Sequence, residues 1–406
     1  MKHASQAVVC LRDPKTIRER AERILNASQI GDLSFAVHLD RLADAAAHTA
    51  KTIRQNYPTL EIPFHSRWRH FDVGNLDRAA ALSTHGLDDA ELARARIDLV
   101  VVSVLLDAGA GEQWRYLETH TSEEWARSEG LAVASFRMFE AGAFSSQTAQ
   151  PLLADIEGLS QFTSARLAAG FQVNETNPLL GLDGRAALIR ALGRCVASNP
   201  RLFPGSPVRV GNLFDYLTDQ AEGGVLRASA VLQAVLEGFG DVWPGRIFLD
   251  GFNLGDTWRH PALRYDDSTD GLLPIHKLSQ WLTYSLIEPL EQAGLTISGI
   301  DELTGLAEYR NGGLFVDSGV LVPRDARTLT EPQAVDSHTV IEWRALTIAL
   351  LDRMAPLVWK LLDVASPPPL VCLLEGGSWS AGRNLAQTLR PSGGPPITVI
   401  SDGTVF

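Results

Sequence analysis

The sequence predicts a mainly α protein with a small α/β element at its C-terminal end. Three observations lead there. Apolar residues recur at spacings of three and four over most of the 406 residues. Helix start and stop signals, caps before the periodic runs and glycine or proline after them, recur along the chain. Strand-like apolar runs stand out only after Pro367-Pro368-Pro369, where the composition changes. The expected organisation is a helical body over 1–366, as one body or two intertwined lobes, with a strand-helix-strand segment over 367–406 packed on it.

Residues 14–48 read as amphipathic helix, with Ile17, Ala21, Ile24 and Leu25 on one face, and alanines carry helix through 42–50. Residues 88–106 form a helix that is wholly apolar from Leu99 onward, hence buried, and that stops at Asp107-Ala108-Gly109-Ala110-Gly111. That Gly-x-Gly follows a helix instead of a strand, so it is not a dinucleotide fingerprint. Residues 127–139 read as a loop entering a buried helix, and the polar stretch 171–178 breaks at Pro178. Helix resumes over 182–198 with Asp183 as its N-cap, and again over 212–217 and 225–237.

Thr339 followed by Glu342 gives a capping box for a long helix whose core face carries Trp343, Leu346, Leu350 and Leu351. The triple proline ends it. Residues 370–374 then read as a strand, the glycine-rich 375–383 as a turn opening a short helix, and 397–400 as a second strand. A glycine turn feeding a helix N-terminus suits an anion, and a tight strand-to-helix turn explains the same residues. The Gly-Lys-Ser/Thr of a P-loop is missing.

Composition bounds the function classes. With 45% hydrophobic and 21% charged residues the chain is expected to be globular and soluble. Lys plus Arg total 36 against 48 Asp plus Glu, a formal charge of −12, which argues against a nucleic-acid partner held by phosphate neutralisation. One small anionic ligand in a local basic pocket remains compatible. Cys10, Cys195 and Cys372 make no metal spacing and read as free thiols of a reducing compartment. Neither a membrane-length apolar run nor a signal-peptide core appears, so a cytoplasmic location without a membrane partner is expected. The oligomeric state is left open.

Chemistry-bearing side chains are densest in GDTWRHPALRYDDSTDGLLPIHKLSQWLTYSLIE, residues 255–288. A loop rich in ionisable and aromatic groups, fixed to a helix, is where binding and catalytic groups concentrate. Pro274 is expected in the first turn of that helix. Ile275, Leu278, Leu282 and Leu286 form one stripe, and His276, Gln280, Thr283 and Tyr284 a second. The second stripe suits a pocket wall, and a solvated face explains the same spacing. Asp270-Gly271 is a turn signal, which makes an Asx turn or cap the simplest role for Asp270. A second patch, residues 62–72, sets His65, Arg67, Trp68, Arg69 and His70 close together. The two histidines are five apart, which is not the same-face spacing of a helical metal pair.

The strings IPFHSRWRHFDVG, RSEGLAVASFRMFEAG, FQVNETNPLLGLDGR, GDTWRHPA, GLLPIHKLSQWLTYSLIEPL, LTGLAEYRNGGL and ISDGTVF together resemble the uracil catabolism protein four family of fungi and bacteria. The resemblance runs along essentially the whole chain. It implies a place in a pathway that opens the uracil ring, with ribosylurea or its 5-phosphate as intermediate, and cleavage of the bond between ribose and urea. A second, remote resemblance is to queuosine salvage proteins, nucleotide N-glycosylases that look like helical DNA glycosylases in fold. Their segment Asp-Tyr-Arg-Val-Pro-Gln is matched in its Asp-to-Pro interval by Asp270 to Pro274, and Tyr284-Ser285 recurs. Here Gly-Leu-Leu replaces Tyr-Arg-Val, and one residue is missing before Tyr284. This similarity implies a helical DNA-glycosylase-like body and a catalytic Asp270.

The residue types suit that chemistry. Cleaving an N-glycosidic bond develops positive charge at the sugar, which Asp270 is expected to stabilise or attack. His260 or His276 is expected to protonate the leaving urea nitrogen. Arg67, Arg69 and Arg259 suit a 5-phosphate, while Trp68, His70, Trp258, Gln280, Trp281 and Tyr284 suit a pocket wall. No cofactor is required for this reaction. Two alternatives stand beside it: a hydrolase using a divalent metal on His65, His70 and His260, and a non-enzymatic sensor or partner protein of the uracil pathway.

Overall fold

The computed structural model describes residues 4–31, 33–243 and 245–400. The terminal ISDGTVF string, apart from Ile400, lies outside the described residues. Helices dominate: among the described residues every strand is two or three residues long, and every sheet has two strands. The fold class is mainly α, as expected. No helix among the described residues is long and apolar enough to cross a membrane. Cys10, Cys195 and Cys372 are free thiols.

The chain divides into two compact units, both discontinuous in sequence. The first comprises residues 1–65, 245–281 and 299–406. Its axis is the helix His338–Leu362, buried without interruption from Val340 to Leu351. A helix that is apolar on every side must be surrounded. Here the helices Pro14–Ile30, Leu42–Asn56 and Tyr309–Asp317 pack around it. Tyr309–Asp317 also lies against Trp379–Leu389, so closely that a Cβ on Gly382 would fall 2.1 Å from the Arg310 carbonyl.

The second unit comprises residues 66–244 and 282–298. Its core helix is Asp89–Leu105, capped by the Asp88 carboxylate on the Glu91 amide and buried without interruption from Ile97. Arg127–Glu140 and Leu182–Ser198 pack against it. The helix Lys277–Gln292 carries the chain from the first unit into the second.

Several elements differ from expectation, each for a physical reason. The periodic pattern of 14–48 is two helices, because the first stops at Gly31 and Phe35–Val37 pairs antiparallel with Leu321–Pro323. Residues 225–227 form a strand, paired in parallel with Thr296–Ser298, before the helix Ala228–Phe239. The N-cap of Leu182–Ser198 is Gly181, with Asp183 inside the first turn. Ser337, not Thr339, caps the long helix, through the Val340 amide. Glu342 makes no capping box; it faces elsewhere, as described below.

The C-terminal segment is also corrected. Residues 370–373 are helical and run through a wide turn at Leu374–Ser378 into Trp379–Leu389. Gly376 and Gly377 are therefore interior to a helical run and offer no free N-terminal amides to an anion. Glycine serves close packing there: a Cβ on Gly377 would fall 2.6 Å from Ile53 Cγ1 and 2.7 Å from Thr49 Cγ2. The expected terminal strand is present as Val399–Ile400, in parallel register with Gln333–Ala334.

Candidate functional site

The helix Lys277–Gln292 starts three residues later than its sequence suggests. Leu272–Pro274 is instead a strand, paired antiparallel with Thr257–Arg259. Asp256 sets the boundary. Its backbone carbonyl accepts from the Ile275 and His276 amides at 3.0 and 3.2 Å, and its carboxylate accepts from the Lys277 amide at 2.9 Å. His276, at φ 51°, turns the chain into the helix through the left-handed region. The Asp256 carboxylate also takes both guanidinium nitrogens of Arg344 at 2.7 Å and the Trp258 indole N–H at 2.6 Å. Burial raises its pKa, but Arg344 and these donors outweigh burial and hold it below the usual carboxylate range.

The first turn of that helix presents Lys277, Gln280 and Trp281 at i, i+3 and i+4, hence on one face. Glu308 faces the charges of Lys277 and His65. It caps the helix Tyr309–Asp317, with Oε2 accepting the Arg310 amide at 2.7 Å and Oε1 the Asn311 amide. Only 8% exposed, its carboxyl is pushed above the ordinary range by burial, against the pull of the two amides, Lys277 and His65.

His65 completes the cluster. Its Nδ1 lies 2.7 Å from Glu375 Oε2, while the Tyr57 hydroxyl donates to Glu375 Oε1 at 3.1 Å. A carboxylate accepts, so Nδ1 carries the hydrogen and Nε2 is left as the basic nitrogen. The ring lies 6.4 Å from that of Trp281. Gln280 is 0% exposed, and its Oε1 accepts from the Thr304 amide at 3.4 Å. Two carboxyls, an imidazole, an ammonium and an amide thus gather in the first unit. They can hold a small polar molecule and exchange protons with it.

The structure gives most of the sequence candidates other surroundings. Asp270 is in a loop: Oδ1 accepts the Tyr265 amide at 2.8 Å, Oδ2 meets Arg264 at 3.5 Å, and the side chain is 43% exposed. His260 donates from Nε2 to Glu342 at 2.9 Å and accepts the Ala262 amide on Nδ1, so both ring nitrogens hold the local backbone together. Glu342 also takes the Ser34 amide. His276 is bonded through Nε2 to the Leu11 carbonyl at 3.0 Å, and burial lowers its pKa to about 4. It is neutral near pH 7 and is not an acid there. Trp258 is buried beside Arg344 and Arg246, and Arg259 is exposed on the strand.

The patch at 66–72 serves the second unit. Arg67 is buried, donating to Ser103 Oγ at 2.7 Å and the Ser128 carbonyl at 3.2 Å, with Asp107 at 3.2 Å and His70 Nδ1 at 3.1 Å. Trp68 donates its indole N–H to the Ser285 carbonyl at 2.8 Å, and Arg69 pairs with Glu288 at 2.7 Å. Tyr284 is fully buried. The stripe His276, Gln280, Thr283, Tyr284 is therefore no solvated face. As for a metal, no group of three or more His, Cys, Asp or Glu side chains among the described residues is placed to hold an ion. His65 and His260 end on different carboxylates.

Lys277, Asp256, Glu308 and Glu375 were absent from the sequence-based set. The signal for Glu308 was a carboxylate opening a helix just after a glycine turn, in LTGLAEYRNGGL, and His65 opens the patch IPFHSRWRHFDVG.

A family model described as "Protein of unknown function (DUF1688)" matches residues 10–406. Protein urg3 of Schizosaccharomyces pombe is 40% identical over 416 residues, covering 99% of this chain and 100% of the relative. Uracil catabolism protein 4 of Lachancea kluyveri is 40% identical over 428 residues, covering 96% of this chain and 97% of the relative. With a match over nearly its whole length and relatives aligned end to end, the chain belongs to the DUF1688 family and, as its sequence strings anticipated, to the uracil catabolism protein four family.

Proposed function

We propose that the chain acts in uracil catabolism as an N-ribosyl hydrolase, cleaving ribosylurea or its 5-phosphate to urea and ribose or ribose 5-phosphate. Full-length similarity to a relative named for uracil catabolism supports the pathway. The observation that carries the reaction class is the buried Glu308 carboxyl, raised in pKa and set beside Lys277 and the His65–Glu375 pair. Paired acid and base groups with separated proton affinities are what hydrolysis of a glycosidic bond requires.

In this reading His65 Nε2, oriented by Glu375, takes a proton from the attacking water. The Glu308 carboxyl gives a proton to the departing urea nitrogen. The bond from C1 to nitrogen breaks, a bond from C1 to the water oxygen forms, and one proton enters and one leaves the protein. Lys277 stabilises the Glu308 carboxylate once its proton has gone. The test is urea release from ribosylurea and from its 5-phosphate in a urease-coupled assay. Glu308→Gln is expected to lower kcat by about 10²- to 10⁴-fold, the span of general acid catalysis. No urea from wild-type protein with either substrate removes the reading.

A further inference from the structure

Gln280 carries a polar group that the fold leaves unanswered. Its side chain is 0% exposed, and its Nε2 has no hydrogen-bond partner. Swapping the amide ends does not relieve this, because Oε1 is fixed by the Thr304 N–H, which must face an acceptor. A buried donor without an acceptor costs about 1–3 kcal/mol, so an orphan at full burial calls for an explanation.

Its position supplies one. Gln280 stands one turn from Lys277 on the face that also carries Trp281, and Thr304, which fixes its oxygen, lies on the segment leading into Glu308. A side-chain N–H₂ selects an acceptor oxygen, and the Glu308 carboxyl, in the proposed reaction, gives its proton to a nitrogen. A ureido group presents both, a carbonyl oxygen and a nitrogen that leaves with a proton, within one planar unit.

We infer that Gln280 Nε2 is a substrate-reading donor that takes the carbonyl oxygen of a ureido ligand. The ligand class rests on the ribosylurea reading; the donor role rests on the orphaned amide. A donor in such a place confers specificity, because an analogue with a poor acceptor leaves the buried N–H₂ unpaired.

The test uses the full chain as wild type, Gln280→Met and Gln280→Glu. Thermal melting without ligand is read first, then urea release from ribosylurea and from N-ribosylthiourea, whose sulfur is a weak acceptor. The expected result is a Gln280→Met protein that still folds but melts modestly lower than wild type, because the buried Thr304 N–H loses its acceptor. Its kcat/KM for ribosylurea should fall about 10- to 100-fold, the equivalent of one buried hydrogen bond. Its preference for the oxygen over the sulfur compound should collapse. Gln280→Glu, which keeps an acceptor for Thr304 and removes the donor, should lose at least as much activity. A Gln280→Met protein that ribosylurea stabilises against melting as much as it does wild type would show that Nε2 meets no ligand and would overturn the inference. So would either variant cleaving ribosylurea as wild type does, with the ribohydrolase reading intact. Wild-type protein that neither cleaves ribosylurea nor is stabilised by it would remove that reading and the ureido assignment together.

Discussion

In the second unit, buried carboxylates are bonded directly to arginines; in the first, a cluster of polar groups is gathered with part of its bonding capacity unused. Glu118 is the example on one side. Burial raises its pKa, but Arg78 and Arg137, bonded at 2.9, 2.8 and 2.6 Å, outweigh burial and bring it to about 2. Asp98, whose pKa burial pushes up to about 6, is held by Arg209 and the Gly211 amide, both at 2.6 Å. Glu308 and Gln280 are the examples on the other side, a carboxyl bonded to backbone amides where Glu118 and Asp98 have arginines, and an amide with an idle donor. Satisfied networks rigidify, whereas unsatisfied buried groups persist where a ligand completes them.

Substitutions in the two units should differ in what they remove, activity or stability. Glu308→Gln should lower urea release by about 10²-fold or more with the circular dichroism spectrum retained, and should cost about 1–3 kcal/mol of stability because its amide can accept only one of the Arg310 and Asn311 N–H groups. Glu118→Gln should lower stability alone. Leaving buried Arg78 and half-buried Arg137 short of a counter-charge is expected to cost about 3–5 kcal/mol in urea denaturation, with activity per folded molecule unchanged.

His276 gives a pH test. Its folded pKa is about 4 and its ordinary value 6.5. Between these values the unfolded chain binds more protons than the native one, so stability falls as pH drops from 6.5 toward 4 and is level above 6.5. The loss is about 3 kcal/mol from this group. In His276→Asn, which tolerates the left-handed backbone, denaturation midpoints measured from pH 4 to 7 should fall less steeply on the acid side. The smallest effect is assigned to Asp270→Asn. It is expected to cost about 1 kcal/mol or less through the Tyr265 amide and to leave kcat within about twofold. A large drop in kcat would return the catalytic carboxylate to Asp270, where the remote queuosine salvage resemblance puts it.

The helical class and the buried runs at 97–105 and 340–351 were legible because period and apolarity are local properties. Misreadings occurred where a distant group decides. Nothing near Pro274 announces that Leu272–Pro274 pairs with Thr257–Arg259, or that the Asp256 carbonyl collects the next two amides. Residues 370–374 have strand composition, yet packing of Ile53 and Thr49 onto Gly377 fits them into a helix. At the site, His260, Arg67 and Trp68 stand out in sequence because they are polar or aromatic and crowded, and the structure gives each a partner distant in sequence. Lys277, Glu308 and Glu375 lie far apart in sequence, and only the fold brings them to His65.

The most direct test of that assembly is the pH dependence of urea release from ribosylurea by wild type and Glu308→Gln, measured side by side. Glu308 as proton donor predicts a wild-type rate that declines on the alkaline side as the carboxyl ionises, and a variant with a residual rate lacking that limb. A Glu308→Gln protein with the wild-type rate and profile would show that Glu308 is not the proton donor.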